Sequence, residues 1–134
     1  MLATLNVPFE QRAWVVALDA AVESGQPLIV ANMVELPPLP LSVIMGYDQL
    51  DYTPELALAL REPAELAQSL GIQVERLRVR SLHPVEALIQ LVGERRPGLL
   101  VFGPDPTKLS RRAYRRAVRA LRQRVDCLLW LPDE

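Results

Sequence analysis

Residues 28–34 follow Pro27 and form an almost unbroken apolar run of strand length, Leu-Ile-Val-Ala-Asn-Met-Val. A strand with one wet face alternates apolar and polar residues, whereas a strand covered on both faces is apolar nearly throughout. This run therefore predicts a central strand of a parallel sheet with a layer on each side. Helices on both faces of such a sheet make an α/β architecture.

Four further segments have the length and composition of strands. Residues 2–7 and 127–131 lie near the two ends of the chain, and residues 99–102 form a buried-type run that ends at Gly103. Residues 73–80 alternate imperfectly between apolar and charged side chains, which predicts a strand near a sheet edge. The sequence thus predicts five strands.

Helical patterns lie between these strands. The first is rich in alanine and ends at Gly25, a good helix C-cap. Another begins at His83-Pro84 and ends in Arg95-Arg96-Pro97-Gly98, where basic residues at the negative end of the helix dipole precede two terminators. An arginine-rich helix of about a dozen residues follows the 99–102 strand.

Residues 36–52 break the pattern because they contain three prolines and Gly46, so we expect an irregular, mobile or partner-contacting loop. Thr53-Pro54-Glu55 is a good helix start. Pro63 removes one backbone hydrogen bond from that helix, which predicts a kink or two helices.

Strands that alternate with four helical segments imply right-handed crossovers. The predicted fold is therefore a five-stranded parallel sheet with helices on both faces, a Rossmann-like three-layer sandwich in which residues 1–134 form a single domain. Half of the residues are apolar but only 5% are aromatic, so the core must consist of Leu, Val, Ile and Ala.

The chain lacks the features of secreted and membrane proteins. Its first residues do not resemble a secretory signal, and no uncharged apolar run reaches the roughly 18 residues of a membrane span. The single cysteine, Cys127, excludes an internal disulfide and a cysteine-cluster metal site, and its apolar neighbours favour a buried thiol. We expect a cytoplasmic protein with no bound metal and no membrane partner.

The net charge of −1 hides an asymmetry, because residues 1–70 carry nine acids and two bases while residues 71–134 carry seven acids and thirteen bases. Such a distribution could steer an anionic ligand toward the C-terminal half, or could match two copies of the chain in antiparallel contact. Charge alone leaves both alternatives open.

The order βαβ, a long irregular connection and then αβαβαβ resembles the universal stress proteins, as do the stretches Val74–Gly103 and Leu28–Glu35. This resemblance implies the adenine nucleotide alpha hydrolase-like sandwich. ATP-binding members of that family carry an acid at the end of the first strand and a glycine after the fourth. A second glycine follows three residues on, and Gly-Ser or Gly-Thr some ten residues later. Glycines of this kind let backbone N–H groups approach phosphates.

This sequence departs from that pattern at most of these positions. Asn6 stands in place of the acid, Gly103 fills the first glycine position, and Pro106 occupies the second. No glycine follows Gly103. The resemblance carries over only Gly103 and, loosely, Met33 at the adenine-lining point of the second strand, where buried packing is the simpler interpretation. We therefore expect no cofactor, with ATP disfavoured.

A group of polar and basic side chains lies between the fourth strand and the next helix, in the usual ligand crevice of open α/β sheets. A phosphate or another anion could bind there, although basic residues at a helix N-terminus oppose its dipole and exposed loops are commonly polar. Asp105, between two prolines, is explained by turn chemistry. The candidate anion-binding residues are Thr107, Lys108, Ser110, Arg111 and Arg112.

The helix that follows has an apolar side and an arginine side. Its arginines could bind nucleic acid or an acidic partner protein, or could simply be solvated. The pI of about 5.9 and the absence of interleaved aromatic residues favour the solvated face, so a nucleic-acid partner is not expected.

Nothing in the sequence indicates an enzyme, since there is no nucleophile elbow, phosphate-binding P-loop or His-Glu-x-x-His motif. The leading hypothesis is a non-enzymatic, dimeric regulatory or partner-binding domain of the stress-response type. The alternative is a nucleotide- or anion-binding stress protein that uses Lys108, Arg111 and Arg112 in place of the glycine loop. The final strand would pair edge to edge with its twin through Cys127, Leu128, Leu129, Trp130 and Leu131.

Overall fold

The computed structural model describes residues 1–36 and 65–132. A short helical stretch covers residues 65–69. The strands are β1 (Leu2–Leu5), β2 (Leu28–Glu35), β3 (Val74–Ser81), β4 (Leu99–Phe102) and β5 (Leu128–Trp130). The helices with both ends described are α1 (Gln11–Ser24), α2 (Pro84–Arg95) and α3 (Arg111–Arg124). Apart from residue 36, the predicted 36–52 loop lies outside the described residues, as do the helix start at Thr53 and the kink at Pro63.

The five strands form one sheet in the order β3-β2-β1-β4-β5, and every neighbouring pair is parallel. Leu2 at the centre lies opposite Val30 on one side and Val101 on the other. The predicted five-stranded parallel sheet with helices around it is confirmed. The chain runs outward from β1 through β2 to β3, then crosses to the other side of β1 for β4 and β5.

Each face of the sheet is covered by its own apolar layer. Leu2 packs on the side of α1 and residues 65–69, and its neighbour Ala3 packs on the side of α2 and α3. Thr4 is buried on the α1 side, where its hydroxyl donates to the carbonyl of Val7 at 2.8 Å. Alternation along β1 therefore fills both layers with mostly aliphatic side chains.

Two helix ends differ in how they reach the left-handed conformation. Gly25 ends α1 with φ 69° and donates its N–H to Ala21, which confirms the predicted glycine cap. At the end of α2 the left-handed residue is Arg96, with φ 48°, and not Gly98. Pro97 accounts for the end of the helix at this point, because proline disfavours the right-handed helical conformation in the residue before it.

The two edge strands have different surfaces. β3 is an edge strand, as its alternating pattern predicted, with Arg76 and Arg80 exposed. β5 is the opposite edge, and the side chain of Leu128 on it is 74% exposed.

In the described part of the chain no helix combines the length and the apolar character required to cross a membrane.

Candidate functional site

The strand order reverses between β1 and β4, and open α/β sheets bind ligands in the crevice beyond the carboxyl ends of the strands at such a point. Residues 6–10 follow β1 and residues 103–110 follow β4, so these two loops flank the crevice. Most of the predicted ligand-binding residues belong to them or to the first turn of α3. Met33 lies nearby at the end of β2, fully buried in the core on the α2 side.

Asn6 fastens the end of β1 to β2. Its backbone N–H donates to the carbonyl of Met33 at 2.9 Å, and its side-chain Oδ1 accepts the N–H of Glu35 at 2.7 Å. Its φ of 56° lies in the left-handed region, which asparagine tolerates better than most residues. Asn6 therefore has a structural role, and it also ends β1 two residues before the predicted boundary.

We expect Asn6→Ala to lower the free energy of unfolding by about 2 kcal/mol. The substitution removes the acceptor of the Glu35 N–H and places alanine in the left-handed region, which its Cβ disfavours. Asn6→Gly loses only the acceptor and should cost about half as much, while Asn6→Asp should stay near the parent. Urea denaturation measures all three. Equal losses in the alanine and glycine variants would show that backbone conformation at residue 6 contributes nothing.

The two loops that flank the crevice are hydrogen-bonded to each other. The N–H of Glu10 donates to the carbonyl of Gly103 at 2.8 Å, and the N–H of Asp105 donates to the carbonyl of Pro8 at 2.8 Å. Phe9 and Pro104 thereby form an antiparallel bridge across the switch point. No local sequence pattern predicts this contact, which joins segments almost a hundred residues apart.

Asp105 organises the loop after β4. Its Oδ1 accepts the backbone N–H of Thr107 at 3.0 Å and the Thr107 hydroxyl at 2.7 Å. Its backbone carbonyl accepts the N–H groups of Lys108 and Leu109, each at 3.1 Å. The predicted turn role of Asp105 is confirmed, and the Thr107 hydroxyl is engaged inside the loop.

The same loop leaves no backbone donor for a phosphate. Gly103 donates its N–H to Ala3, Asp105 donates across to Pro8, and residues 107–109 all donate to Asp105. The two remaining residues, Pro104 and Pro106, have no N–H to give. Phosphate cradles in loops are built from free N–H groups, and residues 103–109 offer none.

Gly103 is explained by packing alone. It is buried, and a Cβ built on it would lie 2.0 Å from the Cβ of Ala13 on α1. Only a glycine allows α1 to approach the end of β4 this closely. The glycine that matches the family pattern is thus required by the fold whether or not a ligand binds.

The first turn of α3 contains what remains of the predicted anion site. Ser110 is the helix N-cap, and its Oγ accepts the N–H of Ala113 at 3.1 Å. Lys108, Arg111 and Arg112 are exposed around this turn. Within residues 1–36 and 65–132, neither arginine forms an ion pair. An anion here would meet side-chain charge and the first N–H groups of a helix.

The rest of α3 continues this positive surface. Arginines 111, 112, 115, 116 and 119 line a shallow open groove of about 520 Å³ on its outer side. Arg124 lies apart and pairs with Glu86 of α2. Like charges three or four residues apart destabilise a helix by about 0.2–0.5 kcal/mol per pair, so packing must offset this repulsion.

The predicted dimer-edge residues are in different environments. Leu128 is exposed, whereas Cys127, Leu129 and Trp130 are half-buried. Leu131 is only 4% exposed and belongs to the core on the α2 side. If β5 meets a partner, Leu128 therefore offers most of the free apolar surface.

A separate pocket of about 450 Å³ lies at the amino ends of the strands and is lined in part by Met1, Glu75 and Arg95. The Met1 amino group donates to the carbonyl of Leu99 at 2.9 Å, and burial lowers its pKa. Arg95 pairs with Glu75 at 2.6 Å.

Across the described segments, no three His, Cys, Asp or Glu side chains form a group that could hold a metal ion.

An all-parallel, doubly wound sheet with a crevice at its switch point defines a Rossmann-like α/β protein. Within that class, the solved structures that match this fold include several universal stress proteins. The chain has the universal stress protein fold. No family model and no curated protein sequence matches it.

Three of these structures contain a bound nucleotide. A universal stress protein in complex with cAMP is 19% identical, with a TM-score of 0.61, and the match covers 98% of this chain and 94% of that one. The Archaeoglobus fulgidus protein in complex with dAMP is 16% identical, with a TM-score of 0.62 and coverages of 97% and 94%. An Arabidopsis thaliana family protein with AMP bound is 15% identical, with a TM-score of 0.52 and coverages of 100% and 95%.

Proposed function

We propose that this chain is a non-enzymatic, universal stress protein-like regulatory or partner-binding domain that does not bind ATP in the usual way of the family. The observation that carries the proposal is the loop of residues 103–109, whose backbone N–H groups are all donated within the chain or absent. A nucleoside triphosphate bound by these N–H groups would have to break hydrogen bonds within the loop or those that join it to Ala3 and Pro8.

The absence of enzymatic activity is part of the same proposal. The crevice residues that could take part in chemistry have structural partners, since Asp105 holds its turn and Ser110 caps α3. His83 lies before α2, exposed, and belongs to neither crevice loop. Thr107 and Asp105 form a hydroxyl–carboxylate pair at 2.7 Å, but the same Oδ1 also accepts the backbone N–H of Thr107, which makes the pair part of the turn.

Calorimetric titration tests the proposal directly. We expect no saturable heat when Mg²⁺-ATP is added to the protein at low or at moderate salt. Saturable micromolar binding that persists at moderate salt would overturn the proposal, because it would require the loop to open. AMP and cAMP are titrated in parallel, since relatives of this fold are known in complex with cAMP and with AMP bound.

The regulatory proposal includes a homodimer formed through β5. An edge strand has unpaired N–H and C=O groups that can pair with another strand, and Leu128 adds an exposed apolar side chain. In an antiparallel pair of β5 strands, the two Leu128 side chains would be removed from water together. Burial of apolar surface is the main favourable contribution to such an association.

Light scattering after size-exclusion chromatography tests the dimer. At micromolar concentration we expect about twice the 15.0 kDa of one chain. Leu128→Lys should shift the protein to the monomer, because a charged side chain would then lie in the strand interface. Leu82→Lys is the matched control, since Leu82 is also exposed (55%) but lies just before α2, away from β5. A monomeric parent protein would overturn the dimer proposal.

The second candidate function is anion or nucleotide binding through Lys108, Arg111 and Arg112. Their exposed side chains at the start of α3 favour it, because guanidinium groups grip phosphate without needing loop N–H groups. Binding of this kind is weakened by salt. In the same titrations it would give heat at low salt that disappears at moderate salt and in Arg111→Gln/Arg112→Gln.

A further inference from the structure

The outer side of α3 contains an unusually dense set of positive charges. At 100° per residue, six arginines fall within an arc of roughly 140° on the helix surface, and Gln123 is the only other residue in that arc. No acidic residue occurs between Asp105 and Asp126. This arginine band comprises Arg111, Arg112, Arg115, Arg116, Arg119 and Arg122.

Five of the six arginines in this band are not neutralised by residues in the described ranges. Residues 111, 112, 115, 116 and 119 make no ion pair with any residue in the described ranges. The ion pair between Arg124 and Glu86 lies on the other side of the helix, toward α2. The helix therefore contains several like-charge neighbours three or four residues apart, an arrangement that is unfavourable unless an anion is present.

We propose that the arginine band binds the phosphodiester backbone of a nucleic-acid duplex without reading its sequence. Guanidinium groups form bidentate hydrogen bonds with phosphate oxygens. The shallow groove on the outer side of α3 is lined by arginines alone. The band extends about 16 Å along the helix axis. That length matches roughly five phosphates of one strand, at about 3.4 Å of duplex axis per phosphate.

The opposite face of α3 excludes a lipid surface as the partner. A helix that lies on a membrane inserts its apolar face among the acyl chains. In α3 that face is already used, because Ala117 and Leu121 are fully buried against the core. The exposed residues of α3 are all arginines or Gln123, and half-buried Tyr114 and Val118 line an open groove beside them.

The composition of the arc also argues against an acidic protein and against a single strand. Protein interfaces depend on a buried apolar or aromatic centre, and the arc contains no apolar side chain. Single strands are held by bases that stack on exposed aromatic rings. The nearest aromatic residue, Tyr114, is half-buried and stacks on Phe102, with ring centroids 6.0 Å apart.

This inference goes beyond the proposed function; it shares Arg111 and Arg112 with the second candidate function but uses neither crevice loop nor the β5 edge. The pI of about 5.9, which argued against nucleic acid, averages over the whole chain. In the folded protein, Asp19 and Glu23 lie on α1, across the sheet from α3. A duplex can therefore approach the arginine band without meeting those carboxylates.

Fluorescence anisotropy with labelled duplexes of about 20 base pairs tests the proposal, using two unrelated DNA sequences and one RNA duplex at several salt concentrations. We expect both DNA sequences to bind with the same affinity. With about four phosphates neutralised, a fourfold rise in salt should weaken binding roughly 150-fold. The difference between the affinities for the RNA duplex and the DNA duplexes shows which kind of duplex the protein prefers.

Arg115→Gln/Arg119→Gln should weaken binding at least about tenfold and lower the salt slope by about two. The matched control is Arg76→Gln/Arg96→Gln, which removes the same charge from exposed residues of β3 and of the end of α2. Circular dichroism confirms that both variants are folded. The proposal is overturned if duplexes do not bind at low salt, if the control weakens binding equally, or if acidic peptides or anionic vesicles bind while duplexes do not.

Discussion

Gly103→Ala is expected to lower the free energy of unfolding by about 3 kcal/mol, at the upper end of the range for overpacked cores. The added Cβ would lie 2.0 Å from the Cβ of Ala13, whereas carbon atoms in contact are normally about 3.5–4 Å apart. Relief requires α1 to move away from the end of β4. That movement would strain the hydrogen bond from Glu10 to Gly103.

Two further variants separate packing from other effects of alanine. Gly98→Ala, at the other end of β4, adds a Cβ with no atom within 4 Å and should leave stability nearly unchanged. Adding Ala13→Gly to Gly103→Ala should recover part of the loss, although glycine within a helix itself costs about 1 kcal/mol. Urea denaturation measures each variant. A double variant no more stable than Gly103→Ala would contradict the packing explanation.

Leu121→Ala is expected to cost about 3 kcal/mol, because this side chain on α3 is fully buried and its truncation leaves a cavity. Leu128→Ala makes the same chemical change on β5, where the side chain is 74% exposed. At concentrations where the protein is monomeric, it should cost only a few tenths of a kcal/mol. Thermal and urea denaturation at matched concentration compare the two variants.

The concentration dependence of the Leu128→Ala variant adds information about the proposed dimer. A dimer stabilises the folded state by mass action, so the parent protein should become more stable as its concentration rises. Leu128→Ala should reduce this dependence, and Leu121→Ala should retain it. Equal losses of stability in the two variants at low concentration would contradict the burial difference between the two leucines.

Three crevice positions have structural roles. Gly103 lets α1 pack against the end of β4, and the side chain of Asn6 holds the end of β2. Pro106 lies in a turn that is held by Asp105. Each position satisfies a structural requirement that does not depend on a phosphate.

Within residues 1–36 and 65–132, the sequence by itself determined the strands, helices α1–α3 and the parallel character of the sheet. The apolar run of β2, the alternation in β3, the cap at Gly25 and the proline at the start of α2 are local signals with local physical causes. Hydrophobic periodicity and terminators act within a few residues, so they can be read along the chain. The observed bounds of β1 and β5 differ from the predicted ones by one or two residues, and β1 ends early because Asn6 bonds to β2.

Only the tertiary structure decided what the crevice residues do. The bonds that join residues 8–10 to residues 103–105 connect segments far apart in sequence, and no local pattern announces them. The close approach of Ala13 to Gly103 and the different exposures of Leu128 and Leu131 likewise depend on how helices pack on the finished sheet. Hydrogen-bond partners and burial are properties of the assembled molecule, because each depends on groups that only the fold brings together.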